Sequence, residues 1–263
     1  MRFELSTFEA MTIRDVPTTQ ISIRVSGWPD DEFLLWMPEA VGELWVQWHP
    51  VVGRQTFETT AGGGLKWKYL DHPEARIEAR LTPVDDQRLM AEVEVTNQAD
   101  RSLPLVRAQN CLHLSRAPRF DCDDFSRIYL RVEGVWRALE SLEPTAGLPM
   151  YYREGFLEAR REDSWRGQFA GCNQKPRADH PLMVCLAADG RACIGTASDD
   201  YQCVFHNQEA EYLRCIHSQQ APVPELSPGE TVVFRQLIYF IDGDLDACVA
   251  ACEEDVSSKR LQP

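Results

Sequence analysis

Basic charge is what this sequence has least of: 27 Lys and Arg stand against 41 Asp and Glu, a formal net charge of −14 and a pI near 4.9. Such a surface excludes nucleic-acid binding as a primary role, because that affinity rests on cations against phosphate. It also disfavours an anionic membrane as a standing partner. Long apolar runs are missing too. No stretch approaches the roughly 20 residues of a membrane-spanning helix, and the segment around residues 237–241 is strand-sized. The opening residues are acidic early and carry no secretory apolar core, so a cytoplasmic location is expected.

Other absences narrow the chemistry. The nine cysteines contain no Cys-x-x-Cys, which leaves a four-thiolate zinc site without support. Their odd number and irregular spacing fit reduced thiols, and Cys185, Cys193, Cys203 and Cys215 fall one to each of four expected strands. Gly-x-Ser-x-Gly does not occur, so the usual hydrolase elbow is excluded. The Ala61-Gly-Gly-Gly64 run lacks the Lys-Ser/Thr ending of a phosphate loop and reads as a turn. The acidic Asp121-Cys-Asp-Asp124 lacks calcium-loop spacing and reads as a solvated turn.

What is present is strand pattern. Alternation or short bounded apolar runs mark residues 20–25, 43–49, 64–69, 75–81, 89–96, 103–114, 126–132, 182–187, 192–197, 202–205, 213–217 and 231–241. More than ten antiparallel strands in one all-β sandwich domain over residues 1–263 are expected, with residues 1–19 and 256–263 as loose termini. One helix is expected after Asp244, where Leu245, Cys248, Val249 and Cys252 form an apolar stripe. Residues 144–175 read as a long loop with partial structure, ordered by five aromatics.

Three groups of residues could carry chemistry. If residues 103–114 form one strand, Arg107, Gln109, Cys111 and His113 share a face, a set natural to a polar cleft or to a merely wet sheet surface. A second group comprises His206, Asn207 and His217, whose imidazoles can exchange protons near neutral pH. Tyr151, Tyr152, Arg153 and Trp165 form the third, suited to stacking on sugar rings and bonding their hydroxyls, or to anchoring a surface loop. No cofactor is expected; the alternative is a divalent metal held by His113, His206 and His217.

Two stretches resemble the galactose mutarotase-like (aldose 1-epimerase-like) superfamily. One runs Val93-Glu-Val-Thr-Asn97 through Leu103-Pro-Leu105 towards His113. The other is Glu225-Leu-Ser-Pro-Gly-Glu230 with its following strand. The resemblance implies an antiparallel β-supersandwich and a small carbohydrate substrate, and no nucleic-acid or membrane partner is expected. The family's catalytic glutamate precedes the Pro-Gly-Glu turn, but the strand there reads Leu213-Arg-Cys-Ile-His-Ser218, with no carboxylate. What the resemblance then implies is an epimerase-like reaction in which His113 protonates the ring oxygen and His217 takes the anomeric proton. Arg107, Gln109, Tyr151, Arg153, Trp165 and Asn207 would bind the sugar. A β-eliminating lyase with His217 or Tyr152 as base and Arg107 or Arg153 opposite the enolate is the alternative. A non-catalytic carbohydrate-binding sandwich is the third reading.

Overall fold

A computed structural model describes residues 2–13, 16–41, 55–69, 73–122, 124–142, 150–156, 176–207 and 214–262. In chain order its strands are β1 (Phe3–Ile13), β2 (Val16–Val25), β3 (Trp28–Val41), β4 (Gln55–Thr59), β5 (Leu65–Tyr69) and β6 (Ala75–Pro83). There follow β7 (Arg88–Asn97), β8 (Leu103–Val106), β9 (Ala108–His113), β10 (Ile128–Val132), β11 (Val135–Ala138) and β12 (Met150–Tyr152). The chain then forms β13 (Met183–Leu186), β14 (Ala192–Ser198), β15 (Tyr201–Asn207), β16 (Cys215–Gln220), β17 (Val223–Leu226) and β18 (Thr231–Asp242), and ends in the helix α1 (Leu245–Ser257). No helix among the described residues is long and apolar enough to cross a membrane.

Two large antiparallel sheets face each other, seven strands in the order β1-β2-β3-β9-β16-β15-β12 and nine in the order β11-β10-β13-β14-β18-β7-β6-β5-β4. The fold is the expected all-β supersandwich. Alternation explains the packing: along β7 every second residue is buried, so Leu89, Ala91, Val93 and Val95 meet the other sheet while their neighbours reach solvent. At one edge Trp28, Phe33, Phe120 and Phe240 close the core with tilted and edge-on ring contacts 5.2–6.1 Å apart.

The two stretches that carry the family resemblance meet in space. Asn97 ends β7 and ties the turns together: its amide donates to the Arg101 and Leu226 carbonyls, both at 2.8 Å. The Gly229 amide donates to the Asn97 carbonyl at 3.0 Å, and its φ of +79° is one that glycine alone adopts without strain.

Several expectations change. Residues 28–41 form the longest strand, missed because an apolar run buried on both faces has no alternation to read. Residues 103–114 are two strands rather than one: the chain breaks at Arg107 after Leu105 adopts φ +50°, and β8 leaves to pair with β17. Residues 150–152 are a strand on β15, while most of the expected 144–175 loop and the expected strand at 43–49 lie outside the described residues. The termini expected to be loose are held: β1 pairs along β2, and after α1 Leu261 is buried while Gln262 bonds Asp199 and Asp200. Asp244 caps α1 by accepting from the Ala247 amide at 3.1 Å.

Candidate functional site

The seven-stranded sheet turns one face to the core and the other away from it. On β9, Ala108 and Leu112 enter the core, and Asn110 donates to Gln236 of the opposite sheet at 2.7 Å. Arg107, Gln109, Cys111 and His113 therefore share the outer face. On β16, Ile216 packs in the core and Ser218 bonds the Pro181 carbonyl and the Ser198 amide, so Cys215, His217 and Gln219 also lie outward. Pairing across the sheet sets Phe205 beside His217, Cys203 beside Gln219 and Tyr152 beside Cys203. Although on the outer face, Arg107, His113, His217, Gln219, Cys203 and Tyr152 are all buried.

A directed chain of hydrogen bonds crosses this face. The Cys203 thiol donates to Gln219 Oε1 (3.4 Å), Gln219 Nε2 to Gln109 Oε1 (2.7 Å), and Gln109 Nε2 to Glu39 Oε2 (2.6 Å). Glu39 stands near the end of β3, where the pairing with β9 is irregular between Trp36 and Ala40. Burial pushes its carboxyl up to about 7, against the opposing pull of the Gln109 bond and the Arg107 charge. Arg107 is itself 3 % exposed, and its Nε and Nη1 find no hydrogen-bond partner among the described residues. Burial lowers its guanidinium to about 10. A buried guanidinium with two nitrogens unbonded is costly in a folded protein, and an anionic ligand or a developing oxyanion would relieve that cost.

The histidines divide. His217 stacks on Phe205 with ring centroids 3.9 Å apart and planes 6° from parallel. Its Nδ1 donates to the Asn110 carbonyl at 2.9 Å, which leaves Nε2 as an acceptor facing the thiols of Cys215 (3.0 Å) and Cys111 (3.5 Å). Burial lowers it to about 3, so the ring is neutral. His113 lies on the same face. His206 does not: it alternates to the core side of β15 and meets Phe125 edge-on at 5.2 Å. The structure therefore does not assemble the His113, His206 and His217 metal set. Among the described residues, the group that it does place within metal-ligand reach is Cys111, Cys215 and His217.

Other expected site residues disperse. Tyr151 points into the main core, not toward the site, because its neighbours Met150 and Tyr152 take the outer side. Arg153 leaves the face altogether. It pairs with Asp200 at 2.8 Å, lies over the Tyr201 ring and lines a separate cleft with His180 and the end of α1. Asn207 closes β15, its side chain outside the described residues, as is Trp165. Glu39 and Gln219 were missed. The one available signal was a carboxylate embedded in Phe33-Leu-Leu-Trp-Met-Pro-Glu-Ala-Val41, where an acid should not be buried without a reason.

No protein-family model matches the chain, and no curated protein matches it. Solved structures do. A galactose mutarotase related enzyme of Lactobacillus acidophilus superposes with a TM-score of 0.54 at 10% identity, covering 92% of this chain and 98% of that one. A candidate aldose 1-epimerase of Escherichia coli K12 gives 0.52 at 10% identity, covering 90% and 99%. An α-N-acetylgalactosaminidase of Bifidobacterium bifidum gives 0.53 at 13% identity, covering 97% of this chain but 38% of the longer one. At these identities the likeness is one of fold, the galactose mutarotase-like supersandwich.

Proposed function

We propose that this protein performs acid/base proton transfer on a small sugar or sugar acid, with Glu39 as the proton-exchanging group and Arg107 as the anion holder. One observation carries the reading. A carboxyl poised at about 7 is hydrogen-bonded into an amide chain beside a buried guanidinium whose Nε and Nη1 have no hydrogen-bond partner among the described residues. A group half-protonated at neutral pH can both take and return a proton. The relatedness in fold to a galactose mutarotase related enzyme and a candidate aldose 1-epimerase supports a carbohydrate as the ligand.

In the epimerase-like reaction Glu39 takes the anomeric hydroxyl proton, the bond from C1 to the ring oxygen breaks, and His113 protonates that oxygen. Closure on the other face reverses these transfers. His217 is not assigned the base role, because both its ring nitrogens are engaged. The unbonded Nε and Nη1 of Arg107 among the described residues favour a second reading, in which Glu39 removes a C–H proton beside a sugar carboxylate and Arg107 neutralises the resulting enolate. Polarimetry with aldoses and deuterium uptake from heavy water into uronates separate the two. Glu39→Gln should cut the active reaction by about 100-fold or more. Unchanged rates in that variant, or no reaction and no binding with either sugar class, would sink the reading.

A further inference from the structure

The β9–β16 ladder pairs Cys215 with His113 and Ile216 with Leu112, and just beyond it Cys111 Sγ lies 3.5 Å from His217 Nε2, with Cys215 two residues before His217 on the same face. Their three donor atoms lie within 4.8 Å of one another, and all three residues are buried. We infer that Cys111 Sγ, Cys215 Sγ and His217 Nε2 form a binding site for a thiophilic divalent ion of the zinc class. This does not rest on the reading of Glu39.

Three observations support it. The first is distance. With zinc–sulfur and zinc–nitrogen bonds near 2.3 and 2.0 Å, the sulfur–nitrogen edge of a tetrahedral site is about 3.5 Å. The two such edges here are 3.0 and 3.5 Å. The second is the tautomer: the Asn110 carbonyl holds the proton on Nδ1, which leaves the Nε2 lone pair directed at the sulfurs. That is the outer contact by which ligating histidines are oriented. The third is charge. On binding, each thiol gives its proton to solvent, and two thiolates cancel the dication, so a buried site holds no net charge. Three protein ligands leave a fourth position for water or a ligand oxygen, as in catalytic zinc sites.

The test begins with the unmutated chain, so that misfolding of a variant cannot decide it. Full-length protein is titrated with cobalt(II) under reducing conditions and analysed for zinc after dialysis. The expected results are equimolar zinc, a thiolate-to-cobalt charge-transfer band with strong visible absorption, and displacement of cobalt by zinc. Cys111→Ser, Cys215→Ser and His217→Ala should each weaken or abolish the band, whereas Cys193→Ser, a buried thiol of the other sheet, should keep it. A folded unmutated chain without the band would overturn the inference. So would a band that survives in the Cys111→Ser/Cys215→Ser double variant, or a disulfide joining the two cysteines in freshly purified protein.

Discussion

Arg107 draws the Glu39 carboxyl downward through its charge, yet the two form no ion pair among the described contacts. Desolvation outweighs that attraction and holds Glu39 at about 7 against an ordinary value of 4.5. Proximity without pairing leaves both groups available to a third partner.

Stability should therefore depend on pH through Glu39. Between about 4.5 and 7 the folded chain keeps this proton while the unfolded chain has released it. Stability from this group thus falls as pH rises across that window and is level above it, a loss on the order of 3 kcal/mol. Glu39→Gln cannot ionise. Its unfolding free energy relative to the unmutated chain should climb from near zero at low pH to that magnitude above pH 7, as read by urea denaturation across pH. A difference that stays flat with pH would show that Glu39 is not the buried titrating group.

Arg107→Met should separate stability from function. Exchanging this buried charge, two of whose nitrogens are unbonded among the described residues, for an apolar side chain of similar length removes a desolvation cost, so the melting temperature should not fall. The same change should push Glu39 further up and remove binding of any anionic sugar. Calorimetry of thermal unfolding and of uronate binding reads both effects, and a variant that melts lower while binding normally would contradict the assignment.

His206 offers a pH test away from the site. Burial first, and the Arg214 charge second, lower it to about 3 from 6.5. The unfolded chain takes up this proton below 6.5 and the folded chain resists doing so, so the stability is lost as pH falls from there to about 3, by on the order of 5 kcal/mol. His206→Leu, packed against Phe125, should melt near the unmutated temperature at pH 7.5 and above it at pH 5. Equal acid sensitivity in the two proteins would refute the buried neutral state.

The fold was largely legible because alternation survives wherever one strand face is wet, as along β6 and β7. It failed at β3, where both faces are covered and Leu34, Leu35, Trp36 and Met37 run without a polar break. The site was legible in part for the same reason. Parity places Arg107, Gln109 and His113 on one face from sequence alone, and that placement survives the break at Arg107. Which face His206 takes depends on the pairing of β15 with β16, and Glu39 reaches Gln109 across 70 positions of sequence, a contact no local pattern encodes.

The last prediction concerns the C-terminus, where polarity in the sequence conceals a buried anchor. Asp255 is fully buried in α1 and accepts from Arg88 Nη1 at 2.9 Å and from Arg260. Its carbonyl also receives the amides of Arg260 and Leu261, so the tail folds back on the helix and Leu261 joins the buried cluster that contains Leu237, Tyr239 and Cys252. Breaking a buried pair from one side costs about 3–5 kcal/mol, chiefly through the charge left behind. Here Arg88 keeps Asp85, whose carboxylate accepts from its Nε at 2.7 Å, so Asp255→Ala should cost nearer 2–3 kcal/mol. Adding Arg88→Met should cost less in the Asp255→Ala background than in the unmutated chain, because the Arg88–Asp255 bond is already gone there. Denaturant melts of the single and double variants measure the coupling. Strictly additive losses would mean that the buried carboxylate contributes nothing through Arg88.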